Sequence, residues 1–216
     1  GSTFERKLNG SAWQVTTSPE NLSGLADGNH TYKVRATDMA GNVDSSPASF
    51  TWTVDSVDPD TTITSGPDNP SSSSSATFEF TSTDNPSYFQ RRLDGAAWQL
   101  AATPETLTSL ADGNHSYEVR AMDYSGNIDP TPASYSWTID TVAPAIPAPL
   151  KPEDGELTGA NAFLKWSGTG DSYEVDLDGT LIPVSGMTWP LSLVSAGTHS
   201  WRVRALDLAG NTSDWS

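Results

Sequence analysis

The chain contains no cysteine, which excludes both a disulfide framework and a thiolate metal site. No apolar run approaches the about 20 residues that cross a bilayer, so direct membrane insertion is not expected. Positive charge is scarce, with 11 Lys and Arg against 27 Asp and Glu and a net charge of −16. Such an acidic surface repels nucleic-acid phosphates, but it is compatible with an extracellular setting and with divalent cations.

The residues that are abundant favour short strands and many turns. Tryptophan occurs 8 times, glycine 17 times and proline 15 times in 216 residues. Tyr32, Val34 and Ala36 alternate with polar residues, and this period of two is typical of a strand with one buried face. Asx-Gly pairs at Asn9, Asp94 and Asp178 lie between alternating runs and indicate hairpins. These patterns predict an all-β fold with antiparallel strands.

The sequence repeats itself at a long period. The segment LADGNH at Leu25–His30 returns at Leu110–His115, 85 positions later. A third copy follows 84 positions after the second, so that His115 is matched by His199. Solenoid repeats are shorter, whereas this period fits a small sandwich domain of about 100 residues. The sequence therefore predicts tandem β-sandwiches.

Two short, polar, proline-bearing segments read as linkers between the copies, at Asp55–Asp60 and Asp140–Pro147. They predict modules at 1–57, 58–142 and 143–216. For the middle copy we predict strands A at 61–65, B at 76–83, C at 88–93, C′ at 98–101, E at 106–110, F at 115–123 and G at 134–140. By comparison, the first copy lacks strands A and B and the last lacks strand G. Exposed sheet edges are templates for strand pairing, so head-to-tail completion between chains is one hypothesis. Arbitrary boundaries of the sequence are the alternative.

The run from Phe89 to Asp140, which includes LDG and SLADGNHSYEVRAMDYSGNIDPTPASYSWTID, resembles the bacterial Ig-like repeats of large secreted and surface-anchored proteins. The third copy, with Leu164-Lys165-Trp166 and Tyr173-Glu174-Val175, is more similar to a fibronectin type III module. The resemblance implies extracellular exposure, a spacer or adhesin-stalk role, and no catalytic residues.

Many such repeats carry a cysteine pair between strands C and C′, which this chain lacks. The strand C positions hold Arg6 and Arg91 instead, in register with apolar residues. A guanidinium on an apolar face needs a carboxylate partner, because an unpaired buried charge is costly. We predict that Glu20 and Glu105 are these partners.

Acidic residues recur at the predicted F–G turns and crowd the first linker. Oxygen-bearing side chains at this spacing are candidate calcium ligands, although Asp, Asn and Gly also form tight turns without a metal. The second linker keeps Asp140 but replaces the other two aspartates with Ala143 and Ala145. The candidate ligands are Asp38, Asn42, Asp44, Asp55, Asp58, Asp60, Asp123, Asn127 and Asp129.

His30, His115 and His199 occupy the same position in the three copies. This repetition predicts a structural role rather than a shared catalytic site. Trp13, Trp98, Trp189 and Trp215 are expected in cores or cross-strand pairs, and a carbohydrate platform is the alternative reading. No residue constellation predicts an enzyme, and no cofactor beyond calcium is indicated.

The sequence thus predicts a non-catalytic structural spacer of a bacterial extracellular or surface-anchored protein, comparable with an adhesin stalk. Its partners would be neighbouring modules of the same polypeptide. Two alternatives stay open. One is a fibre subunit that completes its end modules by strand exchange. The other is a glycan-binding or partner-binding accessory region of a secreted enzyme. Fold-level resemblance does not choose among these functions.

Overall fold

The structure, a computed structural model, describes residues 1–84, 87–156, 158–159, 162–192 and 194–216, without the side chain of Ser87. This described part consists of strands, turns and irregular segments, and it contains no helix long and apolar enough to cross a membrane. In chain order the strands are β1 Thr3–Leu8, β2 Gln14–Thr16, β3 Gly28–Thr37, β4 Ala48–Val54, β5 Thr61–Ser65, β6 Ala76–Ser82, β7 Ser87–Leu93, β8 Gln99–Ala101, β9 Glu105–Leu107, β10 Gly113–Asp123, β11 Ala133–Ile139, β12 Ala148–Lys151, β13 Phe163–Ser167, β14 Ser172–Leu177, β15 Thr180–Val184, β16 Thr188–Pro190 and β17 Trp201–Leu206.

The chain forms two compact units. The first comprises Gly1–Asp60, Ser82–Tyr88 and Ala121–Thr131. Its main element is an antiparallel sheet in the order β2-β1-β3-β4. Because side chains alternate across a sheet, the register brings apolar residues of neighbouring strands to one face, with Tyr32 opposite Phe50.

The second unit comprises Thr61–Thr81, Phe89–Arg120 and Pro132–Ser216. Its middle-repeat part pairs a sheet in the order β5-β6-β9 with one in the order β11-β10-β7-β8. The two sheets bury an aromatic core in which Phe78 stacks on Tyr117 with 4.0 Å between ring centroids. The fully buried large residues of this core are Phe78, Phe80, Tyr117, Val119, Trp137 and Ile139.

The last repeat also has two sheets, in the orders β12-β13-β16 and β15-β14-β17. Its core contains Leu164, Trp166, Tyr173, Val175 and Val203. Beyond β17, the amides of Ser213 and Ser216 donate to the carbonyls of Ala205 and Val203, so this terminal segment runs beside β17.

The prediction of tandem all-β sandwiches is confirmed by these sheets. The predicted strands of the middle copy agree with the observed ones to within three residues at each end. The predicted hairpins are also present. Asn9, Asp94 and Asp178 have φ values of 49°, 51° and 51° and are each followed by a glycine with positive φ, as a type I′ turn requires. The module boundaries at 1–57, 58–142 and 143–216 stay a prediction.

Candidate functional site

Each repeat contains the same self-contained turn after its F strand. In the middle repeat the carboxylate of Asp123 accepts hydrogen bonds from the backbone amide of Asn127 at 2.8 Å and from its side chain at 2.7 Å. Asp38 with Asn42, and Asp207 with Asn211, repeat both bonds. The tight reversal requires glycine with positive φ between the two residues, as at Gly126. All three copies therefore form the tight turn that this motif predicts.

The asparagine of the turn also contacts the linker that precedes its repeat. The side chain of Asn127 donates to the backbone carbonyl of Asp55 at 3.1 Å. Asn211 makes the equivalent bond to the carbonyl of Asp140 at 2.7 Å. The same contact thus recurs one period apart, and it ties each of these two turns to the end of the preceding G strand.

Three carboxylates converge beside the first of these contacts. One oxygen each of Asp55, Asp84 and Asp123 lies within 4.8 Å of the other two. Asp123 is only 3% exposed, and the other two aspartates are half-buried. Burial raises the pKa of Asp123, but hydrogen bonds from the side chain and backbone of Asn127 outweigh it and hold the pKa below its ordinary value. Clustered carboxylate oxygens are the ligands that calcium prefers, and we name these three residues the aspartate cluster.

Of the predicted calcium ligands, Asp55 and Asp123 belong to the aspartate cluster. Asn127 lies beside both, through its bonds to the Asp123 carboxylate and the Asp55 carbonyl. Among the described residues, no other predicted acid joins a group of three carboxylates at this spacing. Asp44 and Asp129 instead accept hydrogen bonds from Ser46 and Thr131 within the following turns. Asp38 binds its own Asn42, and Asp58 and Asp60 are exposed. Calcium binding stays a prediction.

Asp84 is not among the ligands that the sequence predicts. It follows β6, and it is separated from Asp55 by 29 positions in the sequence, so no short motif contains both. The order of the strands in the fold nevertheless indicates this contact. The B–C and F–G loops of an immunoglobulin-like sandwich lie at the same end, which places an acid after strand B close to the F–G turn.

The predicted Arg–Glu pairs are confirmed. Arg6 binds Glu20 at 3.0 Å and Arg91 binds Glu105 at 2.9 Å, with all four side chains at most 22% exposed. Each glutamate also accepts a hydrogen bond from a tyrosine hydroxyl, as Glu105 does from Tyr117 at 2.7 Å. Burial, then the bond to Glu105, raises the pKa of Tyr117. These pairs satisfy the polar groups beside the core.

Each repeated histidine uses both ring nitrogens in hydrogen bonds. In the middle repeat, His115 contacts Asp94 through Nδ1 at 2.9 Å and the carbonyl of Ala111 through Nε2 at 2.9 Å. Two acceptors favour the doubly protonated ring. The bond to Ala111 raises the pKa of His115, burial lowers it, and Asp94 raises it, so that the net effect is upward. With both nitrogens engaged, the histidine has no free nitrogen to act as a base.

The first repeat replaces this aspartate with Asn9. The backbone amide of Thr31 donates to the side-chain oxygen of Asn9, which turns the amide nitrogen of Asn9 toward Nδ1 of His30 at 2.8 Å. That nitrogen donates, so Nδ1 of His30 accepts, whereas the same ring nitrogen of His115 faces a carboxylate. The Asn9–His30 pair is therefore a natural control for the Asp94–His115 pair of the middle repeat.

We predict that the stability contributed by the His115–Asp94 pair falls as the pH rises. The folded-state pKa of His115 is raised, so its contribution is fully present below the ordinary histidine pKa of about 6.5 and is lost as the pH passes the folded value. Burial raises the pKa of Asp94, but bonds from Ser116 and His115 lower it overall, so its contribution disappears only in acid. Urea unfolding between about pH 5 and about pH 8 checks this.

The variant Asp94→Asn reproduces the arrangement of the first repeat and should flatten this pH dependence. Asn9→Asp should introduce the same dependence into the first unit. A pH dependence that is unchanged by Asp94→Asn would show that other groups cause it.

Three of the four tryptophans singled out in the sequence, all of them half-buried, lie under arginine side chains. The guanidinium of Arg35 lies 4.2 Å from the ring centroid of Trp13, and Arg120 lies 4.2 Å from that of Trp98. Trp215 has two such neighbours, and Trp189 packs against the core of the last repeat. These cation–π contacts agree with the cross-strand role that the sequence predicts.

The sequence of the chain matches a family model and curated relatives at 30% identity or more. Residues 3–56 match the model of the bacterial Ig-like domain family. The chain is 33% identical to Exoglucanase B of Cellulomonas fimi over 228 residues, which covers 92% of this chain and 20% of the enzyme. It is 31% identical to Endoglucanase B of Cellulomonas fimi over 214 residues, which covers 85% of this chain and 20% of that enzyme. The chain thus spans about a fifth of the length of these relatives.

Among solved structures, the FN1–FN3 domains of chicken CNTN1 superpose with a TM-score of 0.52 at 13% identity, covering 100% of this chain and 86% of that one. At this identity the likeness shows the fold alone. The family match covers residues 3–56, and the repeats and paired sheets extend the same sandwich architecture along the chain. The chain is a tandem array of bacterial immunoglobulin-like and fibronectin type III-like modules.

Proposed function

We propose that the chain is a non-catalytic spacer region of a bacterial extracellular protein. The observation that carries this proposal is the recurring contact between an F–G turn and the preceding linker, from Asn127 to Asp55 and from Asn211 to Asp140. A contact that recurs with the sequence period is what a repeat array needs to add units in a regular way. The acidic composition favours solubility outside the cell.

The relatives support a position within a longer polypeptide. The matched regions make up 20% of Exoglucanase B and 20% of Endoglucanase B, so the similarity concerns a part of each enzyme. We propose that the present modules separate the functional parts of a larger protein. A stalk that projects an adhesive domain from a cell surface is the second setting for the same mechanical role.

The absence of cysteine makes a direct test simple. Cysteines introduced at Ser2 and Ser216 can carry a pair of spin labels, and a second chain lacks residues 58–142. A spacer predicts a defined label distance that shortens when the middle repeat is removed. A broad distribution in both chains would contradict the proposal.

Incubation of the chain with soluble cellulose derivatives should release no sugar, and hydrolysis would contradict the non-catalytic assignment.

One observation favours a second candidate function, glycan binding. Tyr88 and Tyr124 are 48% and 66% exposed, and their ring centroids are 5.0 Å apart at an interplanar angle of 80°. The matching positions are Thr3 and Met39 in the first repeat. An exposed aromatic pair on one copy alone is what a binding module, rather than a uniform spacer, predicts.

The glycan proposal predicts that the chain sediments with an insoluble polysaccharide such as cellulose or chitin. Tyr124→Ala should weaken this binding by about tenfold, which corresponds to the 1.4 kcal/mol typical of an aromatic contact. Met39→Ala, at the equivalent turn of the first repeat, is the matched control and should leave binding unchanged. If neither polysaccharide retains the chain, or if both variants bind as the parent does, the tyrosine pair is not a binding site.

A further inference from the structure

The first unit exposes one face of its sheet as an apolar groove. Phe4, Tyr32, Val34, Phe50 and Trp52 line this groove, which has a volume of about 780 Å³. Phe50 is 68% exposed and Phe4 is 45% exposed. Within the first unit, as far as its residues are described, no second sheet covers these side chains. We call this surface the open face.

The middle repeat shows what such a face accommodates. Its equivalents of Tyr32, Val34 and Trp52 are Tyr117, Val119 and Trp137, which are at most 2% exposed. They are covered by strand β6, whose inward residues are Ala76, Phe78 and Phe80, together with Ile63 and Leu107. The two faces carry nearly the same residues, so they present nearly the same shape to a covering strand.

The open face also offers a backbone edge. In the middle repeat, β6 pairs with β9, with Ala76 opposite Leu107 and Phe78 opposite Glu105. The segment equivalent to β9 is Glu20–Leu22, which forms no strand in the structure. It is nevertheless held in place, because Glu20 binds Arg6 at 3.0 Å and the hydroxyl of Tyr32 at 2.8 Å. β-Strand addition requires a backbone edge that can form main-chain hydrogen bonds and pockets that receive alternate side chains of the added strand.

We propose that the open face binds an amphipathic β-ribbon of the same repeat family, built like residues 61–82. The ribbon places a small residue opposite Leu22 and an aromatic residue opposite Glu20, as Ala76 and Phe78 do opposite Leu107 and Glu105. A second aromatic residue two positions further covers Phe4, since Phe80 contacts the equivalent Phe89 with ring centroids 4.8 Å apart. This inference goes beyond the spacer role, because it assigns the first unit a specific partner segment.

The first test uses a synthetic peptide of residues 61–82 added to the full chain, followed by hydrogen exchange. Binding should slow exchange at residues 20–22 by about tenfold or more. A peptide with Phe78→Ser and Phe80→Ser is the control and should have no effect, because it keeps the length and removes only the aromatic slots.

The second test removes the entropic cost of bringing two molecules together. Residues 61–86 are joined directly before Ser2, which reproduces the spacing of the middle repeat. The joined chain should protect residues 20–22, shield Trp52 from quenching and unfold at a higher temperature than the parent. If exchange at residues 20–22 and the unfolding temperature both stay unchanged, the proposal is wrong.

Sedimentation of the unmodified chain tests a different occupant. A concentration-dependent dimer that is lost in Phe50→Ser and persists in the joined chain would assign the open face to a second copy. That outcome would overturn the proposal. A monomer at all concentrations, together with protection in the joined chain, would support it.

Discussion

Calcium in excess should raise the unfolding temperature of the first unit, and a chelator should abolish the increase. The aspartate cluster brings three carboxylate oxygens within 4.8 Å of one another, where their negative charges repel unless a cation lies between them. A cation that binds only the folded state stabilises it by about 2.7 kcal/mol at one hundred times its dissociation constant. For a unit of this size, that corresponds to an increase on the order of 10 °C.

The variant Asp84→Asn should remove most of this calcium effect. It should also raise the stability measured in chelator, because it removes one of three repelling charges. Asp58→Asn is the matched control, since Asp58 is an exposed aspartate of the same linker outside the aspartate cluster. The two variants are compared by calorimetry with and without calcium. Equal calcium shifts in the parent and in Asp84→Asn would exclude the aspartate cluster as the binding site.

The last repeat serves as an internal comparison in the same experiment. Asp140 and Asp207 match Asp55 and Asp123. Asp171 accepts a hydrogen bond from the amide of Leu208 in this turn, but among the described residues no third carboxylate joins Asp140 and Asp207 at the spacing of the aspartate cluster. Without three converging carboxylates, this position should bind calcium much more weakly. The transition of the second unit should therefore shift little. A shift as large as that of the first unit would point to a site other than the aspartate cluster.

Trp137→Ala should destabilise the second unit by about 3–5 kcal/mol, the usual cost of deleting a large buried aromatic side chain. Trp137 is 2% exposed, and its ring contacts Phe78 with centroids 5.3 Å apart. Its indole nitrogen has no hydrogen-bond partner within the described structure. The loss is therefore one of packing and apolar burial, with no hydrogen bond removed.

The matched variant is Trp52→Ala in the first unit. Trp52 occupies the same strand position and also lies beside a histidine ring, with 5.5 Å between centroids. It belongs to the open face and is only half-buried. We expect it to cost less than half as much as Trp137→Ala, because less apolar surface is returned to water. Urea unfolding, followed separately for the two units, measures both. Equal costs would mean that the open face is covered in solution.

The local features of this protein were readable from the sequence because each depends on a few neighbouring residues. Alternation through Tyr32 and Val34 determined which side chains share a face, and Asp94 followed by Gly95 determined a hairpin turn. The pairing of Arg91 with Glu105 was also predictable, because a charge in an apolar register must be neutralised nearby. The period of 85 residues then extended each local conclusion to the other copies.

The tertiary structure alone decided which distant residues meet. Asp84 joins Asp55 and Asp123 because the ends of separate strands converge, and strand periodicity contains no information about that convergence. The difference between Trp137, which is 2% exposed, and the half-buried Trp52 was by contrast foreseeable, because the first copy lacks counterparts of the strands that cover Trp137. Burial depends on the strand that packs across the face, and that strand is supplied from elsewhere in the fold. A sequence specifies the faces of its strands through local alternation, whereas contact between faces is a property of the assembled sheets.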